Sequence, residues 1–155
     1  ISPADLDLVF GVNFRGTFEF CQIAIPHMVD AGWGRIVNIS SSSAQTGSRG
    51  HTAYSATKGA VISFTRSLAK EFGRKGITVN TIPPGMVVTP ALEDAVEKGF
   101  LGPDGIAGNL ATVPVNRAGQ PADIAAACAY LCRDDAGYVT GQILGVNGGR
   151  VIPGG

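Results

Sequence analysis

Two short runs, RIVNIS (residues 35–40) and ITVNTI (residues 77–82), are rich in β-branched residues and end abruptly, one at serines and one at Pro83-Pro84-Gly85. Between them, from about Ala53 to Phe72, Val61, Phe64, Leu68 and Phe72 recur at the three- and four-residue spacing of one helix face. Strand, helix, strand in that order predicts parallel strands joined by a right-handed crossover. The alternation continues. A helix is expected from about Ala122 to Arg133 after Pro121, and GQILGVNGG reads as a third strand. The fold class is therefore α/β, with one domain over residues 1–155, and no internal repeat competes with it.

Ahead of the first strand, SPAD reads as a helix start. Ser2 caps, Pro3 suits the first turn, and Asp5 stands at the capping-box spacing near the positive end of the dipole. The helix should run from about Pro3 to Met28. Leu6, Val9, Phe10, Phe14, Phe18, Cys21 and Ile25 give it one apolar face, while Leu8, Val12, Phe20 and Ile23 add apolar character elsewhere. A helix apolar nearly all round is buried on several faces or covered by a partner. Residues Pro90 to Pro114 are mixed, with Gly99, Gly102, Gly105 and Gly108 interspersed among Leu92, Val96, Phe100, Leu101 and Ile106. They read as a mobile excursion carrying short helices.

Lys plus Arg equals Asp plus Glu at 12 each, and neither sign clusters. A nucleic-acid stripe or a patch for anionic membranes is not expected. Cys128 and Cys132 read as buried thiols of the third helix, which fits a reducing cytoplasm. With no long apolar run, a membrane span is not expected.

In parallel sheets ligands bind beyond the carboxyl ends of the strands. Ser40 and Ser41 lie just past the first strand, and Pro84, Gly85 and Thr89 just past the second. Tyr54 and Lys58, four apart at the start of the intervening helix, share a face and are expected to project towards the serines. A phenol is a poor general base at neutral pH, and a neighbouring ammonium favours its phenolate form. A serine hydroxyl can hold a carbonyl or alcohol oxygen while the phenol moves its proton. Such a set handles protons but lacks an electron carrier. A tyrosine and lysine at this spacing are by themselves most often a solvated helix face, and serine runs are most often loops or caps. Their succession with the two strands and the Pro-Gly turn is what raises the catalytic reading.

GRIVNISS, AYSATKGAVISFTRSLAKEF, GITVNTIPPGMVVTP and YVTGQILGVNGG together resemble the short-chain dehydrogenase/reductase family. The resemblance implies a Rossmann-type doubly wound sheet and a nicotinamide-dependent oxidoreductase using NAD or NADP on a small-molecule carbonyl/alcohol pair. By its motifs Tyr54 is the acid/base, and Lys58 the lysine that favours the phenolate and holds the nicotinamide ribose. Ser41, thirteen residues before Tyr54, steadies the substrate oxygen, with Ser40 and Ser42 as rivals. Asn13 supports a water leading to the lysine. Pro84 and Gly85 form the turn beside the nicotinamide, Val87 meets the carboxamide through its backbone, and Thr89 lies near the carboxamide and phosphates.

The family's glycine-rich phosphate turn and ribose selector would lie before Ile1, so the chain is expected to represent the catalytic and C-terminal half, inactive when isolated. NAD against NADP is decided in that other half. Asn147 stands where the family usually has aspartate. The apolar excursion at residues 90–114 matches the family's substrate lid and favours an apolar or 3-oxoacyl-type substrate. The long helices imply a homodimer or homotetramer. The competing reading is a non-catalytic piece that serves assembly.

Overall fold

A computed structural model describes residues 1–99, 106, 108 and 110–152. Helix α1 (Pro3–Phe10) starts on the expected capping box: the Asp5 N–H donates to Ser2 Oγ at 3.1 Å, and the Asp5 carboxylate accepts the Ser2 N–H at 3.0 Å. The helix does not continue unbroken to Met28. It widens into a π turn over Gly11–Arg15, where the Gly16 N–H donates to the Gly11 carbonyl, and resumes as α2 (Gly16–Ala31). Such widened turns concentrate at functional sites, and Asn13 lies in this one. Gly32, at φ 64°, ends α2 in the left-handed conformation open to glycine.

Strand β1 (Gly34–Ile39) leads to a one-turn helix α3 (Ser43–Thr46) and then to the long α4 (Thr52–Phe72). Strand β2 (Ile77–Ile82), α5 (Pro90–Glu97) and α6 (Pro121–Leu131) complete the described elements, with short 3-10 turns at Gly73–Lys75 and Asp134–Ala136. The strands pair in parallel, Gly34 opposite Ile77 through Ile39 opposite Ile82. Every residue of β2 is buried, as a strand covered on both faces requires.

The third strand is looser than its sequence implies. The chain at residues 140–146 runs parallel to β2, and Thr81 pairs with Ile143 and Pro84 with Val146. Ahead of these pairs side chains join the ladder: Asn80 Oδ1 accepts the Gln142 N–H at 3.1 Å, Asn80 Nδ2 donates to the Val139 carbonyl at 2.8 Å, and Thr140 Oγ1 accepts the Val79 N–H at 3.0 Å. Pro83 and Pro84 have no N–H to offer.

Helices α2 and α4 cover one face of the sheet. Cys21, Ile25, Ile36, Leu68, Ala69, Ile77 and Val79 form the core there, with Phe64 and Phe72 packed against it. Burial pushes the Cys21 thiol up in pKa, which makes it an inert hydrophobe. Helix α6 packs on the other face, where Ile39 meets Ile124 and Cys128. Cys132, expected buried, is exposed because α6 ends one residue before it. No described helix is long and apolar enough to cross a membrane.

Asn38 ties the layers together. Its Nδ2 donates to Thr65 Oγ1 of α4 at 2.9 Å, and its Oδ1 faces the Cys21 thiol of α2 at 3.7 Å. Thr65 is fully buried, so no water can replace a lost partner. Asn38→Leu is expected to lower stability by about 1–3 kcal/mol. Urea unfolding should show most of that loss recovered when Thr65→Val is added.

Candidate active site

The β1–β2 pairing extends past the strands. The Ser40 N–H donates to the Ile82 carbonyl at 2.9 Å and the Ser42 N–H to the Pro84 carbonyl at 3.0 Å. The serines are thus held against the Pro-Pro-Gly turn and differ in what they can still do. Ser40 is buried and its hydroxyl pairs with Thr81 Oγ1 at 3.0 Å, so it serves the scaffold. Ser42 is buried too, and its carbonyl receives the Gln45 and Thr46 N–H groups that open α3. Ser41 is half-buried, with Oγ 2.8 Å from Ser43 Oγ and accepting the Ser43 N–H at 3.2 Å.

Ser41 and Tyr54 line one cavity of about 570 Å³, together with Ser43, His51, Met86 and Arg150. Tyr54 is fixed by its neighbours: Ala53 and Thr57 are buried, and Thr57 Oγ1 donates to the Tyr54 carbonyl at 2.7 Å. The His51 ring stands edge-on to the tyrosine, 6.2 Å between centroids.

Lys58 departs from its expected direction. Its Nζ donates to the Ile39 carbonyl at the end of β1 at 3.1 Å, 5.8 Å from the Tyr54 ring centroid, rather than reaching the serines. That carbonyl offers a fixed acceptor on the near side of the helix, and the four-carbon stem reaches it. Burial lowers the lysine pKa. Lys58 and Asn13 line a second cleft of about 490 Å³ along β1, with Phe20 and Asn38. Asn13 is held there by its turn, its carbonyl accepting from Thr17 Oγ1 at 3.0 Å.

The remaining candidates form a third cavity of about 520 Å³, where Pro84, Gly85, Val87 and Thr89 meet Ile39 and Ile124. A Cβ on Gly85 would sit 3.1 Å from Asn147 Cα, tighter than ordinary contact, so glycine eases the close approach of the two segments. Thr89 caps α5 by accepting the Leu92 N–H at 3.3 Å. Of the excursion expected over residues 90–114, α5 and positions 98, 99, 106, 108 and 110–114 are described; Phe100, Leu101, Gly102 and Gly105 lie outside the described residues. Among the described residues no His/Cys/Asp/Glu cluster is arranged to hold a metal.

Sequence reasoning missed Ser43, His51 and Arg150 in the tyrosine cavity. His51 was findable, since it lies one helical turn before Tyr54. Arg150 was not, because its approach depends on the turn after residue 146.

A parallel sheet that delivers a serine and a tyrosine–lysine helix to one edge defines a class. The family profile described as Enoyl-(Acyl carrier protein) reductase matches residues 1–150. The chain is 44% identical over 154 residues to the (2S)-[(R)-hydroxy(phenyl)methyl]succinyl-CoA dehydrogenase subunit BbsD of Thauera aromatica, covering 98% of this chain and 58% of that protein. It is 42% identical over 149 residues to the acetoacetyl-CoA reductase of Cupriavidus necator, covering 96% of this chain and 58% of that one. The structure of ElxO with NADP bound superposes with a TM-score of 0.87 at 31% identity, over 97% of this chain and 59% of that one. The chain belongs to the short-chain dehydrogenase/reductase family, and its fold is Rossmann-type. It spans about 58% of the length of the curated relatives it matches.

The wall carrying Val87 is braced from residue 119. The Gly119 N–H donates to the Met86 carbonyl and the Val88 N–H to the Gly119 carbonyl, each at 2.9 Å. Asp123 anchors this brace: it accepts the Gln120 N–H at 2.7 Å and two bonds from Arg117 at 2.7 and 2.9 Å. The Arg117 guanidinium, then the Gln120 amide, lower the Asp123 pKa from 3.8 to about 2. The carboxylate's contribution is therefore complete above the unfolded value and is lost as pH falls through the folded one. Protection of the Gly119 and Gln120 amides, taken relative to their intrinsic exchange rates, should hold above about pH 4 and fall towards pH 2. Asp123→Asn should lower that protection throughout the range.

Proposed function

We propose that this chain is the catalytic portion of an NAD(P)-dependent oxidoreductase that interconverts a carbonyl and a secondary alcohol on a 3-oxoacyl-type substrate. The observation that carries the reading is Ser41 and Tyr54 in one cavity at the sheet edge, with the half-buried Lys58 ammonium beside the tyrosine ring. Support for the substrate class comes from the acetoacetyl-CoA reductase among the relatives and from the apolar Met86, Val87 and Leu92 in the cavity wall.

In the reducing direction the Ser41 hydroxyl donates to the carbonyl oxygen and polarises it. Ser43, bonded to Ser41, holds that hydroxyl in place. Tyr54 Oη delivers the proton as the oxygen becomes an alkoxide. The ammonium of Lys58 stabilises the phenolate left behind, and its half-burial weakens screening by water. Asn13 shares a cleft with Lys58 and supports a water through which the proton is replaced.

The third cavity suits a nicotinamide: Gly85 leaves no side chain in the way, and Ile39, Val87 and Ile124 offer apolar contact to a flat ring. Pro84, Gly85, Val87 and Thr89 would hold that ring and its amide, and Lys58 the ribose. The nicotinamide, when bound, supplies or accepts the hydride. A cytoplasmic setting is supported by Cys21, Cys128 and Cys132 all being free. Residues 1–155 read as one domain portion, with 90–114 as its substrate-lid excursion.

In the full-length protein Tyr54→Phe should cut turnover about 10²–10⁴-fold with the fold intact by circular dichroism. Retention of more than about a tenth of the activity would remove Tyr54 from proton transfer and favour the assembly reading. Lys58→Met should both weaken cofactor binding and slow turnover, about tenfold or more in each, because one ammonium serves ribose and phenol. Unchanged cofactor affinity would return Lys58 to a structural role.

Self-association follows from the helices. Phe18, Ile25, Val29, Phe64, Leu68 and Phe72 line a groove of about 560 Å³ between α2 and α4, suited to the same helices of a second copy. Sedimentation at micromolar concentration should show a homodimer or homotetramer. A monodisperse monomer would count against it.

A further inference from the structure

Asn147, in the run VNGG, is the one asparagine of the chain that is followed by glycine. The backbone nitrogen after an asparagine can attack its side-chain amide carbon, and glycine puts no Cβ in the way of the ring that forms. The turn supplies the other parts of that reaction. Asn147 Oδ1 accepts the Gly149 N–H at 3.1 Å and the Val151 N–H at 3.5 Å. These donors fix which end of the amide is oxygen, and they favour negative charge on it as its carbon is attacked. Asn147 Nδ2, the group that would leave, is buried and has no hydrogen-bond partner. Gly148 follows at φ 65°, and the two bonds to Oδ1 use the N–H groups of residues 149 and 151 rather than its own. Asn147 and Gly148 also line a cavity of about 360 Å³ with Gly85 and Gly145, which is room enough for water.

The other buried asparagines among the described residues are built the opposite way. Asn38 Nδ2 donates to Thr65 Oγ1 at 2.9 Å and Asn80 Nδ2 to the Val139 carbonyl at 2.8 Å, so each amide nitrogen is held. Each is followed by a β-branched residue, Ile39 or Thr81, which crowds the attacking nitrogen. We propose that Asn147–Gly148 is a self-modification site that loses the side-chain amide and leaves an aspartate. The Gly148 nitrogen bonds to Asn147 Cγ and gives up its proton, the Cγ–Nδ2 bond breaks, and Nδ2 departs as ammonia. Water then adds to Cγ of the cyclic imide and breaks its bond to the Gly148 nitrogen, which takes a proton back. No electrons are gained or lost. The new carboxylate accepts the same two N–H groups, now with charge behind the bonds, and the unpartnered donor is gone. Opening the imide at its other carbonyl would thread the Cβ methylene into the main chain. That extra length would move Gly148 off Val113 and residue 147 off Gly85, so the packed turn selects aspartate. The step is independent of the reductase reading.

The test holds the full-length protein, folded, in mildly alkaline buffer made with heavy-oxygen water, and follows it over days by peptide mass spectrometry. Residue 147 should lose its amide about tenfold faster, or more, than Asn38 and Asn80, and gain one heavy oxygen. Equal rates at the three positions overturn the proposal. A free peptide of residues 140–152 gives the rate without the fold. Conversion in the folded protein within about tenfold of the peptide, or faster, supports the proposal; conversion slower than that shows a turn that protects the amide, and overturns it. Enzymatic methyl labelling of isoaspartate should mark a minority of the product, and a majority overturns the assignment to aspartate. Asn147→Asp gives the end state directly. Its urea midpoint should equal or exceed that of the freshly purified protein, and the aged protein should move to the same value. A lower midpoint for Asn147→Asp overturns the proposal, because the turn would then not hold the carboxylate.

Discussion

The hydrogen bond from Thr81 Oγ1 to the Asn38 carbonyl, 2.9 Å long and shut away from water, sets the register on which the reactive edge depends. Asn38 opposes Thr81 in the β1–β2 ladder, and the same hydroxyl reaches Ser40 Oγ. A slip of one residue would turn Asn38 away from Thr65 and Cys21 and leave buried polar groups unpaired on both sides of the sheet. With the register locked, Ser40 and Ser42 extend the ladder to Ile82 and Pro84. Ser41, between them, lines the tyrosine cavity together with Ser43. The core polar network thus takes the Ser40 hydroxyl out of the run of four.

Why that choice was only partly legible follows from the residues involved. The strands and the long helices announce themselves through β-branched runs and a four-residue apolar period. The Ser41–Tyr54 spacing then carried Ser41 ahead of its neighbours only through family resemblance, because four adjacent serines are chemically alike until packing separates them. The π turn at Gly11–Arg15 left no periodic signal, since one extra residue merely shifts an apolar pattern that already covers several faces. The irregular third strand was invisible for a related reason. Asn80 and Thr140 are ordinary polar residues in sequence, and only their positions opposite Gln142 and Val79 let side chains replace backbone partners. Arg150 lines the tyrosine cavity from the turn that Asn147 closes near Gly85.

Lys58 shows how one charge is shared. A half-buried ammonium loses hydration, which lowers its pKa, and the Ile39 carbonyl returns part of that loss through a hydrogen bond. The bond also places the charge on the cleft with Asn13 rather than in the cavity that Tyr54 and Ser41 line. A lysine aimed straight at the serines would compete with the substrate for their oxygens. Held at the end of β1, its Nζ sits 5.8 Å from the Tyr54 ring centroid while its remaining N–H donors stay free for other hydroxyls.

Helix α2 joins this site to the molecule's apolar surface, because its faces have three different neighbours. Cys21 and Ile25 enter the core, Phe18 and Val29 line the groove with α4, and Phe20, with Val12 of the π turn, flanks the cleft of Asn13 and Lys58. Phe20 is 75% exposed and Val12 68%, a load of apolar surface worth roughly 1.5–3 kcal/mol per side chain once covered. The groove matters most for the chemistry. Its Phe64 and Leu68 sit on α4, the helix that begins with Tyr54 and Lys58, and Phe64 packs against Phe14 of the π turn at 5.8 Å between ring centroids. A second copy seated there would press α4 onto the turn carrying Asn13. Closing the proposed assembly and aligning Asn13, Lys58 and Tyr54 would then be one mechanical event.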